Sequence, residues 1–410
     1  MIKLARKAAA LLLALSLAGC ATYQGKVSDA RRSLEAGNPQ AAVAKLEPLA
    51  AEEGKDQLIY LLDYATALQA AGDYQAASQA FIQADKLSES KDYVSVSKQA
   101  ASLLFAQEMV QYAGEDFEKL LINAMAALNF ALMNDLDSAR VETRRLTEKL
   151  EYFRSERKEQ YKDNSLAFYL NAHIWEANRD WDSALLDYEK AYKTGLINDL
   201  IRKDLIRASQ RAGRRDKLNQ YTREFGMKPD TQYRNRNLGE VVVLFQQGWG
   251  PRKRPNPQAP RWPMLVPERS STKKAIVKVN GFQQAQTEIV YDLEAAAVDT
   301  LTKQYGKLVA KRIAGIVAKK AVQKQVAKED AGLGLLLGVA MHASDRADLR
   351  QWSTLPETVQ AAHLYLPKGK HSIQLVGARA DGSETSDVSP VIEVEVKARR
   401  KTFVGWRSFR

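Results

Sequence analysis

A phrase that occurs twice sets the tightest limit on what this chain can fold into. Gly72-Asp73-Tyr74-Gln75-Ala76-Ala77, with Phe81 and Ala84 following, returns as Asp180-Trp181-Asp182-Ser183-Ala184, with Tyr188 and Ala191 following. Each copy reads as a turn that opens a helix, and each is preceded by another helix. Leu61, Ala65 and Leu68 in one case, and Phe168, Ala172 and Trp175 in the other, are spaced by four and three residues and so share a face. Ala65, Ala77, Ala172 and Ala184 then stand where two helices of a hairpin cross closely. Weaker copies lie at Gly37-Asn38-Pro39 with Ala42 and Leu46, at Asn134-Asp135-Leu136 with Ala139 and Leu146, and at Gly213-Arg214-Arg215 with Leu218 and Phe225. Turns at 37, 72, 134, 179 and 213 give steps of 35, 62, 45 and 34 residues.

The pattern resembles the tetratricopeptide repeat, whose unit is about 34 residues. It predicts five or six helical hairpins stacked as a right-handed solenoid over residues 27–228. The long step leaves room for an extra hairpin through Leu103 to Leu121, and the step of 45 predicts lengthened helices around Arg144 to Tyr161. The competing reading is an irregular all-helical domain whose alanine-rich phrases imitate the repeat. A stacked array offers a concave surface, a device for binding a protein or peptide and not for catalysis. His173 is the one histidine of this half and reads as a packed or surface residue. Tyr60, Tyr64, Trp175, Trp181 and Tyr188 read mostly as core.

At Gly239 the texture changes. Glu240-Val241-Val242-Val243-Leu244-Phe245 is a β-branched run bounded by Gly248 and Gly250, and it predicts a buried strand. Six of the twelve prolines fall within 251–267, among Arg252, Lys253, Arg254, Arg261 and Trp262. This predicts an extended loop with few ladder bonds, either a stiffened crossover laid over the sheet or an exposed basic contact. Ala275–Val279 and Thr287–Tyr291 read as strands; Asn280-Gly281 between them signals a turn, with a spacing longer than a tight hairpin. A basic amphipathic helix is expected over 293–328. Its apolar set includes Leu301, Tyr305, Leu308, Ile313 and Ile316, and lysines, Lys319 and Lys320 among them, load the other surfaces. The apolar run Ala331–Met341 is too short to span a membrane and is either core or a membrane or partner contact. Ala362–Leu366, Ser372–Val376 and Val391–Val396 are further strands, the grammar of a small β-sandwich. His363 and His371 read as surface residues of adjacent strands. The tail Lys397–Arg410 either closes the sheet or binds a polyanion. The fold class is therefore α + β and multidomain: a helical repeat array followed, from 229 to 410, by a strand-rich, sandwich-like module with an embedded basic helix.

The N-terminus adds an address. Lys3, Arg6 and Lys7 precede the apolar run Ala8–Ala18, and Leu17-Ala18-Gly19-Cys20 closes it as a lipobox. Resemblance to a lipoprotein signal implies removal of residues 1–19, lipid on the Cys20 sulfur and amine, a short tether over 20–26 and, with Ala21 next, sorting to the outer membrane. The other reading is an ordinary secretory signal with a chance cysteine. Cys20 is the only cysteine, so no intramolecular disulfide can form. The net charge of +12 is carried by the second half: residues 226–410 hold 30 Lys+Arg against 17 Asp+Glu. In an exported protein such charge points to anionic lipid, lipopolysaccharide or cell wall and away from nucleic acid. Arg252, Lys253, Arg254, Lys319, Lys320, Arg399, Arg400 and Lys401 are the candidate polyanion contacts.

Taken with the strand and loop Glu240–Pro255, the Val290-Tyr291-Asp292-Leu293 phrase and Arg350-Gln351-Trp352-Ser353-Thr354-Leu355-Pro356, these features resemble a family of proteobacterial outer-membrane lipoproteins with tetratricopeptide repeats. The resemblance implies an envelope setting, in envelope or peptidoglycan biogenesis, and assigns no activity to any residue. The chain lacks His-Glu-x-x-His, Gly-x-Ser-x-Gly and a phosphate loop, and its lone cysteine is committed to lipid. A non-enzymatic scaffold without cofactor or metal is the leading expectation. Direct binding of an anionic envelope polymer or lipid through the basic half is the alternative.

Overall fold

The computed structural model describes residues 23–92, 111–155, 164–229, 231–298, 323–325, 328 and 347–410. Among these the helices fall into five pairs: α1 (Tyr23–Glu35) and α2 (Pro39–Ala51), α3 (Gln57–Ala70) and α4 (Tyr74–Asp92), α5 (Asp116–Leu132) and α6 (Leu136–Ser155), α7 (Ser165–Ala177) and α8 (Trp181–Lys193), α9 (Asp199–Arg211) and α10 (Arg215–Phe225). Each predicted turn joins the two members of a pair, and the array is tetratricopeptide-like. The turns share one chemistry. Gly37, Gly72, Asn134, Arg179 and Gly213 take the left-handed conformation that ends a helix. The next residue caps the following helix in four of the five: Asn38, Asp73, Asp135 and Asp180 each accept a backbone N–H three residues on, at 3.0–3.1 Å. Ala65, Ala77, Ala172 and Ala184 are fully buried at the helix crossings.

The first helix of the array begins at Tyr23, not near Val27. Tyr23 is buried, with its hydroxyl donating to Asp63, so the tether is shorter than the sequence implied. The lengthened helix is α6, with 20 residues. Leu120 and Leu121, at the end of the extra hairpin expected from Leu103, belong to α5, and Leu103 lies outside the described residues.

Among the described residues, nine of the eleven strands form two sheets that face each other, and the other two form a separate ladder. The first runs β11 (Lys401–Arg407), β1 (Leu238–Gln247), β7 (Thr358–Pro367), β6 (Glu288–Asp292), with β11 parallel to β1 and the other pairs antiparallel. The second runs β10 (Ile392–Val396), β8 (Gly369–Ala378), β4 (Lys274–Val279), β5 (Phe282–Gln286), with β9 (Glu384–Val388) also paired to β8. Alternation along β1 makes it the centre of the molecule. Val241, Val243 and Phe245 pack toward the second sheet with Val277, Leu364 and Leu375. Val242 and Leu244 pack toward the helices in one core with Leu62, Met125 and Tyr169. The layers are therefore helices, sheet, sheet, and the concave side of the array is filled by the chain's own first sheet.

Three expectations are corrected. The proline-rich stretch is a ladder, since β2 (Arg252–Asn256) and β3 (Ala259–Val266) pair antiparallel. Pro255 stands directly opposite Pro263, the kind of pair in which neither residue owes the other an N–H. Asn280-Gly281 makes a tight two-residue turn, both residues at positive φ, because β5 begins at once. His363 and His371 lie in strands of different sheets and are not neighbours. Of the predicted helix 293–328, only 293–298, 323–325 and 328 are described, and all of these are helical. The run 331–341 lies outside the described residues.

Gly239 is the tightest backbone approach in the sheet. A Cβ there would stand 2.4 Å from the Lys397 carbonyl oxygen and 2.6 Å from Val396 Cγ1, whereas at Gly54 it would meet nothing within 4 Å. Gly239→Ala is expected to cost about 2 kcal/mol in urea unfolding and Gly54→Ala less than about 0.5 kcal/mol. Equal effects would refute this packing of the β10–β11 turn over β1.

Candidate functional site

The inner helices of the pairs are buried on nearly every side, because one face meets the outer helix and the other meets the sheet. In α3 eleven of fourteen residues are buried and in α5 thirteen of seventeen, whereas α10, an outer helix, buries Tyr221 alone. Inner helices buried in this way still carry polar side chains, spaced by three so that they point together into the sheet. Asp63, Thr66 and Gln69 lie on α3, His173 and Glu176 on α7, Asp204 and Arg207 on α9.

At the α3 end the partner is the strap Arg350–Pro356. Asp63 accepts the Thr354 N–H at 3.0 Å, the Thr354 hydroxyl at 2.8 Å and the Ser353 hydroxyl at 2.9 Å. Burial raises its pKa, and the hydrogen bonds from Tyr23, Thr354 and Ser353 oppose that rise. Trp352 is wedged between helices, its indole N–H on Thr66 at 3.0 Å and its backbone N–H on Glu118 at 2.6 Å. Burial, reinforced by the neighbouring Glu115 charge, pushes Glu118 up to about 7. In the middle, Gln246 of β1 donates to Gln69 at 2.7 Å.

The α7–α9 end holds a network of charges. Glu176 receives Arg207 through two bonds, at 3.1 and 2.9 Å, the Tyr188 hydroxyl at 2.9 Å, and Lys401 Nζ at 2.6 Å. Lys401 also lies 2.9 Å from Glu240, which Arg211 and His363 reach from other sides. Arg207 pairs with Asp204 as well. Three carboxylates thus meet three cations. Burial works against ionising Glu176 and Glu240, but Arg207 and Lys401 for the first, and Lys401 and His363 for the second, outweigh it and hold both well below the usual range. Both histidines are driven toward the neutral form, by burial first and then by Lys401 at His173 and Arg207 at His363. Their tautomers follow from their donors. Lys401 and Arg207 can only donate, so Nδ1 of each ring accepts, at 3.2 Å in His173 and 2.9 Å in His363, and each proton sits on Nε2. Such a buried, charge-balanced cluster holds the helices and the sheet together.

The candidate basic residues separate here. Lys253 is 5% exposed and pairs with Glu115, because alternation along β2 turns it inward; Arg254 faces out, and Arg252 is half-buried beside Gln24 and Glu268. Lys401 is 2% exposed at the centre of the network. Neither can meet a polyanion. Arg399 and Arg400 are exposed in the β10–β11 turn. Cys20, Lys319 and Lys320 lie outside the described residues. His363, read as a surface residue, is instead held between Arg207 and Glu240. The network's members Glu176, Arg207 and Glu240 were missed by sequence reasoning. Their signal was a charge three residues from His173 on an otherwise apolar helix, and a glutamate opening an otherwise apolar strand. Among the described residues no cluster of His, Cys, Asp and Glu has metal-binding geometry.

No family model and no curated protein matches the sequence. Among solved structures, MamA from Desulfovibrio magneticus RS-1 is similar with a TM-score of 0.33 and 15% identity, over 48% of this chain and 88% of that one. A tetratricopeptide repeat protein from Parabacteroides merdae ATCC 43184 gives 0.34 and 13%, over 50% and 68%. The repeat array is read from the chain's own turns and pairings.

Lys401→Met removes the cation shared by two buried carboxylates and is expected to cost about 3–5 kcal/mol in urea unfolding, part of it recovered in Lys401→Met/Glu176→Gln. A loss below about 1 kcal/mol would mean the network does not hold β11 to the array.

Proposed function

We propose that the chain is a non-enzymatic interaction protein of the cell envelope, anchored by lipid on Cys20 in the outer membrane and facing the periplasm. The observation that carries this reading is the closure of the array. The charged side chains buried on the inner helices are engaged with the sheet, so the body is a rigid frame whose contacts with other molecules fall on its outside. The expected partner in the concave groove gives way to one on the rim, since the chain's own sheet occupies that groove. An open, largely apolar groove of about 610 Å³ lies between the loop 194–198 and β6, with Ile197 61% exposed and Ile289 45% exposed at its edge. Exposed apolar residues gathered at a groove are the surface a protein partner would use.

The anchor would also fix orientation. Only Ala21 and Thr22 separate Cys20 from the buried Tyr23, so lipid on Cys20 lies within about 11 Å of that residue along the chain. Gln24 next to it bonds the Lys253 carbonyl at 3.1 Å, which brings the β2–β3 hairpin, with Arg252 and Arg254, to the membrane side. That placement and the clustering of arginines in the second half favour a second reading, direct binding of an anionic envelope component.

A photo-crosslinker placed at Ile197 tests the main reading in cells. The lipid-bearing wild type is expected to form an adduct with a discrete protein, lost in Ile289→Asp and in Cys20→Ser, which cannot accept the thioether-linked lipid. No adduct, or an adduct unchanged in Cys20→Ser, would contradict the proposal.

A further inference from the structure

A second opening, of about 540 Å³, lies where the α7–α8 turn, the end of α9, the stretch 232–238 and the β10–β11 turn meet. Five arginines line it, Arg179, Arg211, Arg234, Arg236 and Arg399, against one carboxylate, Glu240. That carboxylate is already taken, by Arg211 on one oxygen and Lys401 on the other. Among the described residues, Arg179, Arg236 and Arg399 have no carboxylate partner. Guanidinium groups from separate elements repel one another, so nothing within the fold explains their convergence.

The backbone gives an independent sign. Arg179 and Arg399 hold φ of 64° and 59°; the other non-glycine residues at positive φ among those described are asparagines, Asn134 and Asn280. At the equivalent repeat turns the left-handed position is filled by Gly37, Gly72, Asn134 and Gly213, residues that take it cheaply. Arginine takes it at a cost, and both costly arginines line one pocket. Backbone strain retained at two residues that line one opening motivates a binding role for them. The pocket wall also holds one unsatisfied donor, the Tyr365 hydroxyl, buried without a partner among the described residues.

We propose that this pocket binds a multiply phosphorylated anion, with Arg179, Arg236 and Arg399 as its principal contacts and the Tyr365 hydroxyl as a further donor. Forked guanidinium donors match phosphate oxygens, and three of them without a carboxylate partner, around a space far larger than one phosphate, call for two or more linked phosphates. The inference deepens the second reading above and is independent of the lipid on Cys20 and of any protein partner.

Titration calorimetry of the detergent-solubilised full chain with inorganic pyrophosphate is the direct test. Wild type should bind pyrophosphate at least about tenfold more tightly than orthophosphate at low salt. Arg179→Gly/Arg399→Gly relieves the backbone while removing two contacts, so its affinity should fall at least about tenfold while its melting temperature rises by about 1–4 °C. Arg236→Gln, which changes no strained residue, should weaken binding without that rise. A purely structural role for these arginines predicts the opposite pairing, lower stability with unchanged binding. Competition by vesicles carrying a diphosphorylated lipid headgroup would assign the phosphates to a lipid, and competition by a nucleoside diphosphate alone to a soluble ligand. No pyrophosphate binding, or binding equal in wild type and the arginine variants, would overturn the pocket. Sedimentation with anionic vesicles that is lost only in Arg252→Ala/Arg254→Ala would overturn it while leaving the second reading standing.

Discussion

The structure depends on the ion network in which Lys401 sits between Glu176 of the array and Glu240 of β1. Glu176 comes from the helical layer and Lys401 and Glu240 from the first sheet, and none could be buried alone, since an isolated charge in a protein interior costs several kcal/mol. Burying them together makes the helices and the sheet conditional on each other. The strap Arg350–Pro356 repeats the arrangement at the other end, where Asp63 holds Ser353 and Thr354. Between the two, Gln69 and Gln246 fix the register of β1 on α3. Directional contacts at three places along one face specify a single seating of the array on the sheet, which apolar packing alone would leave free to slide.

The helical pairs and most strands were legible in the sequence because their signals are local. An αL residue followed by Asn or Asp, an alanine at a crossing and a β-branched run between glycines each act within a few residues. The pairs were therefore placed at their turns, and β1, β4, β6, β7, β8 and β10 were found near their observed bounds. β5 and β9 were not, since Phe282–Gln286 and Glu384–Val388 are mostly polar and exposed edge segments. The hairpin β2–β3 was hidden by prolines that sit opposite each other.

The seating of the array on the sheet was not legible, because it joins residues far apart in the chain. A concave repeat surface and a sandwich face each look complete when read alone. The polar stripe on the inner helices is the available clue, and it is weak because a buried Asp or Glu becomes recognisable only beside its partner. The same blindness explains Lys253 and Lys401. Both stand in basic runs that read as solvated, yet alternation along a strand turns one residue of such a run inward, and a carboxylate from the array meets it there.

If the array and the sheet are one cooperative unit, amide hydrogen exchange under increasing denaturant should report it. The slowest amides of α3, α5 and α7 are expected to open with the same free energy and the same denaturant dependence as those of β1 and β7. Helices that open well below the strands, with β1 still protected, would contradict the central claim that the repeats and their own sheet fold as a single body.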